Sequence, residues 1–197
     1  MSLDLIKSQI NESILTKQEL LNQCLDEIEK SGQILVEALN SNHKILLCGN
    51  GGSAADAQHI AAELIIRYKS SNERRSLPAI SLATDTSVLT ACGNDYGYDY
   101  VFSRQIEGLG NEGDVLIAIS TSGNSPNIVN AIRAAYEKKL KIIALTGANG
   151  GKIQKELSNI VDVIIKVPSN ITARIQECHI LLGHIFCEYI EKYMFKF

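Results

Sequence analysis

The stretch VLIAISTSGNSP, residues 115–126, decides the predicted fold of this chain. Its first five residues are apolar without alternation, which is typical of a strand buried inside a parallel sheet. Ser125 and Pro126 then predict the start of a helix, because Ser is a favoured N-cap residue and Pro fits the first helical turn. The stretch therefore predicts a buried strand, a turn rich in hydroxyl groups and a helix.

The turn in this stretch has the composition of an anion site. Four hydroxyl side chains stand where the helix begins, at Ser120, Thr121, Ser122 and Ser125. The first N–H groups of a helix have no partner within it and lie at the positive end of its dipole. Because the stretch contains no Lys or Arg, we expect a phosphate ester held by O–H and N–H donors. The alternative is an ordinary turn with a Ser cap.

The segments on either side of this stretch repeat the alternation of strand and helix. Five short apolar runs are predicted strands, at residues 44–48, 79–82, 115–119, 141–146 and 161–167. Strands that alternate with helices form a parallel sheet covered by helices on both faces. We therefore predict an α/β fold with a doubly wound, five-stranded parallel sheet. The predicted helices include residues 54–68, 86–91, 103–109 and 172–193.

Two further helices are predicted before the first strand. Apolar residues recur at helical spacing over residues 3–39, and Thr16 with Glu19 resembles a capping box that starts the second helix. We expect a bend near residues 31–32. Two such helices cannot bury their apolar faces alone, so they must pack on the later domain or on another subunit. We favour a homo-oligomer.

Length and composition favour one cytoplasmic domain. Residues 1–197 are predicted to form a single domain, with a helical extension over 1–42 and an α/β core over 43–197. A net charge of −3 does not favour binding to nucleic acid or to an anionic membrane. Five cysteines, mostly in apolar runs, are typical of buried thiols in a reducing compartment. The polar N-terminus predicts no signal peptide, and no apolar run reaches the ~18 residues of a membrane span.

Three turns are predicted at the edge where open parallel sheets bind ligands. They follow strands, at residues 49–53, 120–125 and 147–151. The first begins with a GxG sequence but lacks the third glycine of a dinucleotide fingerprint, and the chain has no Walker-type phosphate loop. The sequence therefore does not favour a nucleotide as the ligand.

Two polar pairs on predicted helices could form a mixed nitrogen and oxygen site. His59 and Glu63 share one face of a helix, and Gln176 and His184 share the broad face of the C-terminal helix. Together these side chains suit zinc or a similar divalent ion. Spacing alone does not choose between His184 and His179, and a His–Glu pair at this spacing is more often an ordinary surface contact.

Four motifs resemble those of a known family. The sequence GNGGSAADAQH at residues 49–59, with AEL at 62–64, is similar to the first signature of the sugar isomerase (SIS) domain family. GNDYG at 93–97, STSGNS at 120–125 and RIQE at 174–177 match its other motifs in order. Within that family the chain resembles the bacterial phosphoheptose isomerases over essentially its whole length.

The resemblance implies a set of substrate-binding residues. It assigns the phosphate to the four hydroxyls of residues 120–125. It assigns the sugar to Asn50, Gly51, Gly52, Ser53, Glu63, Asn94, Asp95 and Gln176. Asn94 and Asp95 also fit an ordinary turn. One position departs from the pattern, since some relatives carry an acid immediately before the RIQE motif and here the residue is Ala173; no carboxylate role is assigned there.

The resemblance also implies a cofactor, an assembly and an activity. Its ligands for one zinc ion per subunit would be His59, Glu63, Gln176 and His184. The implied SIS fold places the two N-terminal helices at subunit interfaces of a homotetramer with shared active sites. The implied activity is the isomerisation of sedoheptulose 7-phosphate to D-glycero-D-manno-heptose 7-phosphate. This is the first step toward activated heptose for lipopolysaccharide or capsule.

That chemistry assigns catalytic roles to two residues. Conversion of a ketose to an aldose through an enediol or enediolate requires a base at C1 and an acid–base group for the oxygens on C1 and C2. Glu63 is the best base and His184 the best partner, since imidazole gives or takes a proton near neutral pH. A carboxylate bound to zinc is a poorer base, so either Glu63 shifts coordination or the metal chiefly organises the site.

Other function classes remain as alternatives. A non-catalytic SIS protein, either an adaptor or a sugar-phosphate sensor, is disfavoured by the intact Glu63–His184 pair. A hexosamine-phosphate enzyme is disfavoured because the chain is one short domain without a glutaminase partner. Arg67, Arg74 and Arg75 are possible further phosphate contacts, although a solvated face is the better interpretation of the last two.

Overall fold

The computed structural model describes residues 2–197, in which eight α-helices and five β-strands follow one another. The helices are α1 Leu3–Gln23, α2 Leu25–Asn40, α3 Gly52–Ile65, α4 Thr86–Asp95, α5 Ser103–Leu109, α6 Pro126–Glu137, α7 Gly151–Glu156 and α8 Thr172–Phe195. The strands are β1 Ile45–Gly49, β2 Ala79–Ser81, β3 Val115–Ile119, β4 Lys141–Gly147 and β5 Val163–Val167. A 3₁₀ turn spans Tyr98–Tyr100.

The five strands form one parallel sheet in the order β2-β1-β3-β4-β5. The register of the central pair runs from Ile45 opposite Val115 to Gly49 opposite Ile119. The chain builds β2 on one side of β1 and then β3, β4 and β5 on the other, so the winding reverses between β1 and β3. This confirms the predicted doubly wound sheet and places its ligand crevice at the carboxyl ends of β1 and β3.

Side chains of the sheet alternate between two cores. Leu47 and Ile117 pack with residues of α2, α3 and α8 on one face. Leu46 and Leu116 pack with residues of α5 and α6 on the other. Every residue of β1 and β3 is buried, because helices cover both faces of the sheet.

The junction of the N-terminal helices differs from the prediction. α1 and α2 meet at Cys24 rather than at a bend near Gly32. Thr16 lies inside α1, where its hydroxyl donates to the carbonyl oxygen of Glu12 at 2.9 Å, so the predicted capping box is wrong. Gly32 instead allows α8 to approach α2, because a Cβ there would lie 2.7 Å from the ring of Tyr189.

The two N-terminal helices bury different amounts of apolar surface. α2 packs on α8 and β5, with Leu35 and Leu39 buried. α1 buries only Thr16 and Leu20. Its remaining apolar side chains are exposed in the described chain, at Leu3, Leu5, Ile6, Ile10, Ile14, Leu15 and Leu21. The expectation that these helices pack on the later domain or on another subunit is therefore confirmed for α2, which packs on the later domain, whereas most of the apolar face of α1 has no covering element within the described residues.

Two helices near the crevice have limits that differ from those predicted. α3 begins at Gly52 and ends at Ile65, and α4 continues to Asp95, so the GNDYG motif ends a helix instead of forming a separate turn. All five cysteines are buried free thiols, as predicted. Within residues 2–197, none of the helices has the length and hydrophobicity to span a bilayer.

Candidate active site

The hydroxyl-rich turn between β3 and α6 lies at the carboxyl edge of the sheet. Ser125 occupies the N-cap position of α6 and Pro126 its first turn, as predicted. The Ser125 hydroxyl does not cap the helix, however, because its Oγ lies 3.2 Å from Oγ of Ser120. This hydroxyl therefore remains part of the turn, beside Thr121 and Ser122.

Backbone contacts with the end of β4 and with α7 hold the hydroxyl-rich turn in shape. The Gly147 N–H donates to the carbonyl oxygen of Thr121 at 2.9 Å, and the Ile153 N–H donates to that of Gly123 at 3.1 Å. Gly123 has φ +64°, and a Cβ there would overlap the carbonyl oxygen of Gly150, in the turn between β4 and α7. The close approach of the two turns therefore requires glycine.

A cleft of about 520 Å³ opens beside these two turns. Thr121 and Ser122 line it, whereas Ser120 is only 4% exposed and lies beneath the surface. Lys155 of α7 also lines the cleft. Lys155 was not predicted, because it lies about 30 residues after the turn and no local pattern connects the two.

The turn between β1 and α3 forms the other side of the crevice and carries Asn50. The Asn50 and Asn127 side-chain amides are joined by two hydrogen bonds of 2.9 Å, one in each direction. The Tyr98 hydroxyl donates to Asn50 Oδ1 at 3.2 Å. Sequence reasoning identified Asn50 but missed Asn127 and Tyr98, because no local pattern links Asn50 to positions 77 and 48 residues away.

The glycines after Asn50 bring α8 over the start of α3. Gly51 has φ +56°, a conformation that favours glycine. A Cβ at Gly52 would lie 2.5 Å from Nε2 of Gln176, so this predicted ligand lies directly over the turn. Ser53 is only 3% exposed and lies inside the first turn of α3.

Three of the four predicted metal ligands meet between α3 and α8. His59 Nε2 lies 2.9 Å from His184 Nε2 and 3.4 Å from Glu63 Oε1. The side chains of His59 and Glu63 are 47% and 23% exposed, so this group, the histidine–glutamate cluster, is open to solvent. His179 is fully buried, with Nε2 3.3 Å from the carbonyl oxygen of Thr146. The structure thus brings His184, and not His179, to His59.

A glycine and a buried ion pair bring α3 and α8 together. Gly183 precedes His184, and a Cβ there would lie 2.5 Å from the side chain of Ile60. Arg74 Nε lies 2.9 Å from Glu191 Oε1, and both side chains are almost fully buried. The prediction of a solvated Arg74 is therefore wrong: Glu191 of α8 supplies the charge that compensates its burial.

Arg74 also completes the end of α3. Its guanidinium donates to the carbonyl oxygens of Glu63 at 2.8 Å and Leu64 at 2.9 Å. A cation at this end complements the helix dipole. Burial would raise the pKa of Glu191, but hydrogen bonds from Asn72 and Arg74 outweigh it and lower that pKa.

The other two arginines lie on the surface. Arg67 pairs with Glu73 at 2.8 Å, both side chains being exposed, and Arg75 is also exposed. Asn94 and Asp95 lie on the exposed end of α4, where Asn94 Nδ2 donates to Asp95 Oδ1 at 2.8 Å. These positions are not part of the histidine–glutamate cluster.

Asp56 is a further polar residue of α3 that was not predicted to belong to the site. It lies one turn before His59 on α3. Burial raises the pKa of its carboxyl group, although the nearby His59 opposes this. Its Oδ2 atom is buried and has no hydrogen-bond partner among the described residues.

The donor set of the cluster fits a divalent ion in its chemistry, since two imidazoles and a carboxylate are common zinc ligands. Two nitrogen ligands of a tetrahedral zinc ion lie roughly 3.3 Å apart, so the His59–His184 separation would have to widen slightly. As placed within residues 2–197, no three His, Cys, Asp or Glu side chains form a group arranged to hold a metal ion. The three side chains are thus suitable ligands for zinc, but their donor atoms are not directed at one point.

Comparisons with known proteins show the family to which the chain belongs. A sequence model of the SIS domain family matches residues 10–147. A phosphoheptose isomerase from Leptospira biflexa is 50% identical over 191 residues, which are 97% of this chain and 96% of that protein. The solved structure of the phosphoheptose isomerase from Neisseria gonorrhoeae is 46% identical and has a TM-score of 0.90, covering 98% of this chain and 100% of that one. The phosphoheptose isomerase structure from Francisella tularensis is 39% identical, with a TM-score of 0.92 and coverage of 98% and 99%. The chain therefore belongs to the SIS domain family and, within it, to the phosphoheptose isomerases.

Proposed function

We propose that the chain converts sedoheptulose 7-phosphate to D-glycero-D-manno-heptose 7-phosphate, an aldose–ketose isomerisation that begins the supply of activated heptose. The observation that carries this proposal is the approach of Glu63, His59 and His184 on helices that border the crevice. The proposal adds the hydroxyl-rich turn at the carboxyl edge of the sheet, which would hold the phosphate while these three side chains act on the reacting carbons.

The hydroxyl-rich turn holds the phosphate in this proposal. Its hydroxyls, at Ser120, Thr121, Ser122 and Ser125, act with the N-terminus of α6. The sugar then extends past Asn50, Gly51, Gly52 and Ser53 toward α8, where Gln176 lies, with Asn94 and Asp95 contacting its hydroxyls. Binding a phosphate far from the reacting carbons supplies energy for positioning C1 and C2.

Glu63 is the base in the proposed reaction. It takes the proton from C1 of the ketose, and the electron pair of that C–H bond forms the C1=C2 double bond of the enediol or enediolate. His184 moves a proton from the oxygen on C1 to the oxygen on C2. Return of the first proton to carbon C2 then gives the aldose. The hydrogen bond from Arg74 to the Glu63 carbonyl supports this assignment, because it holds the backbone of the base in place.

We further propose one zinc ion held by His59, Glu63, Gln176 and His184. When bound, it supplies Lewis-acid polarisation of the substrate carbonyl. The chemistry of the donors in the cluster and the short distances between them support this site, and Gln176 lies over Gly52 at the start of α3.

The proposed assembly is a homotetramer with shared active sites, located in the cytoplasm. The exposed apolar stripe of α1 supports the assembly, as does an apolar cavity of about 320 Å³ beside His184 that includes Tyr189 and Tyr193. Substituting Ile10 and Ile14 by Asp should yield smaller species in analytical ultracentrifugation. Substituting the exposed Lys7 by Asp should leave the mass of the assembly unchanged.

An NMR assay of the purified protein with sedoheptulose 7-phosphate tests the activity and the metal together. The assay is run on the protein as purified, after chelation, and after zinc is restored. We expect an aldoheptose 7-phosphate that disappears on chelation and returns with zinc. Product that persists after verified removal of metal would contradict the zinc site. No product from folded protein would contradict the activity and favour a non-catalytic SIS protein.

A further inference from the structure

Asn127 occupies a position that neither the motifs nor the proposed reaction explain. It lies in the first turn of α6, only 2% exposed, and its amide faces that of Asn50 across the reversal point of the sheet. A buried side-chain amide requires hydrogen-bond partners, and here each amide satisfies the other. The pair joins the turn between β1 and α3, which the proposed function places at the sugar, to α6, whose N-terminus it places at the phosphate.

The hydrogen-bond capacity of Asn50 is almost fully used. An amide oxygen accepts two hydrogen bonds and an amide nitrogen donates two. Asn50 Oδ1 accepts from Asn127 Nδ2 and from the Tyr98 hydroxyl, and Asn50 Nδ2 donates to Asn127 Oδ1. One N–H of Asn50 therefore remains, and no acceptor capacity does.

We infer that Asn127 is a positioning residue that fixes the Asn50 amide as a pure hydrogen-bond donor toward the substrate. The inference rests on the proposed function, in which Asn50 contacts the sugar. A donor at this point matches an oxygen that gains negative charge, such as an enediolate oxygen, or a sugar oxygen acting as acceptor. Without Asn127, the amide can rotate and present its oxygen, which would repel the same atom.

A double-mutant cycle tests whether Asn127 acts through Asn50. We expect Asn127→Ala to lower kcat/KM for sedoheptulose 7-phosphate by about 10- to 100-fold, and by less than about 2-fold in an Asn50→Ala background. The Kd for inorganic phosphate, measured by calorimetry, should change by less than about 2-fold because the hydroxyl-rich turn is intact. Equal losses in both backgrounds, or an equal loss of phosphate affinity, would overturn the inference.

Two further variants guard against effects on folding. Ser31→Ala removes a buried hydrogen bond to Glu27 in α2, away from the crevice, and should leave kcat/KM unchanged. Tyr98→Phe removes the second donor to Asn50 Oδ1 from an exposed side chain and should lower kcat/KM by about 2- to 5-fold. If Asn127→Ala does not fold, an unchanged kcat/KM in Tyr98→Phe would overturn the inference.

The activity of the unmodified protein separates this inference from the proposed function. An inactive but folded protein would contradict the isomerase proposal but not this inference. Calorimetry would then decide the inference, since Asn127→Ala should weaken binding of sedoheptulose 7-phosphate and spare inorganic phosphate. Unchanged sugar-phosphate affinity in that case would overturn it.

Discussion

The hydroxyl-rich turn and the histidine–glutamate cluster, which the proposed function assigns to one active site, are built in different ways. The turn is held by backbone hydrogen bonds and by glycines that let two loops touch. The cluster consists of side chains from α3 and α8, and its two histidines are 125 residues apart. The distance between those helices depends on Gly183 and on the buried pair of Arg74 and Glu191. Binding of phosphate and proton transfer should therefore be separable by mutation.

Removing the acid–base groups should produce the largest effect and the cleanest separation. Glu63→Gln and His184→Gln should each lower turnover by roughly 10²- to 10⁴-fold, because each removes a group to which the proposed reaction assigns a proton transfer. Calorimetric affinity for inorganic phosphate should stay at the level of the unmodified protein. Glu73→Gln changes an exposed carboxylate and serves as the control. Full activity in Glu63→Gln or His184→Gln would refute the assigned roles.

Breaking the buried ion pair should disturb the cluster from a distance. Arg74→Met leaves the Glu191 carboxylate buried without its cation, which should lower the free energy of unfolding by about 3–5 kcal/mol in a denaturant titration. Turnover should fall more than phosphate affinity, since Arg74 holds the end of α3. Arg104→Met, which removes an exposed pair with Glu107, should cost no more than about 1 kcal/mol.

The double variant Arg74→Met with Glu191→Leu sharpens this prediction. An apolar pair avoids the uncompensated buried charge, so it should recover most of the lost stability. A double variant as unstable as Arg74→Met alone would show that packing around the guanidinium, and not the charge, holds the helices.

Acid should weaken the contact of α8 with β4 through His179. Burial lowers the pKa of His179 from 6.5 to about 4, although its contact with the Thr146 carbonyl opposes this shift. Below pH 6.5 the unfolded chain binds a proton at His179 that the folded chain excludes. The contribution of neutral His179 to the free energy of unfolding is therefore fully present above pH 6.5 and is lost as the pH falls toward 4. The loss should approach roughly 3 kcal/mol. Comparison of urea unfolding with His179→Asn should show a smaller loss in the variant, and equal pH slopes would contradict the assignment.

Removing one hydroxyl from the hydroxyl-rich turn should have the smallest effect. Ser125→Ala should raise KM by roughly 10-fold with little change in kcat, because one hydrogen bond to a charged group is lost while the backbone of the turn remains. Steady-state kinetics beside the exposed control Ser8→Ala measure this. A fall in kcat with an unchanged KM would place Ser125 in the chemical step instead.

Local patterns were sufficient to predict the hydroxyl-rich turn. The apolar run, the Ser cap position and Pro126 all lie within twelve consecutive residues, and each acts through backbone geometry that such patterns encode. The same kind of reasoning wrongly predicted that the second helix begins at Thr16. A Thr followed by Glu three residues later also fits a helix interior, where its hydroxyl bonds the preceding turn.

Long-range contacts explain the remaining errors. Arg74 lies in a polar loop and was expected in water, but its partner Glu191 is 117 residues away. The choice between His179 and His184 also depended on how α8 packs, because the two residues differ in rotation around the helix and not in local sequence. Asn127 escaped notice for the same reason, since only the folded chain places it opposite Asn50.

The sequence by itself determined the strand and helix pattern, the parallel sheet and the motifs of the SIS domain family, because periodicity and turn chemistry act between near neighbours. Only the tertiary structure decided which histidine meets His59, what neutralises Arg74 and how Asn50 is oriented. Each of these depends on a contact between distant segments, whose geometry follows from the packing of whole helices and not from any one stretch of the chain.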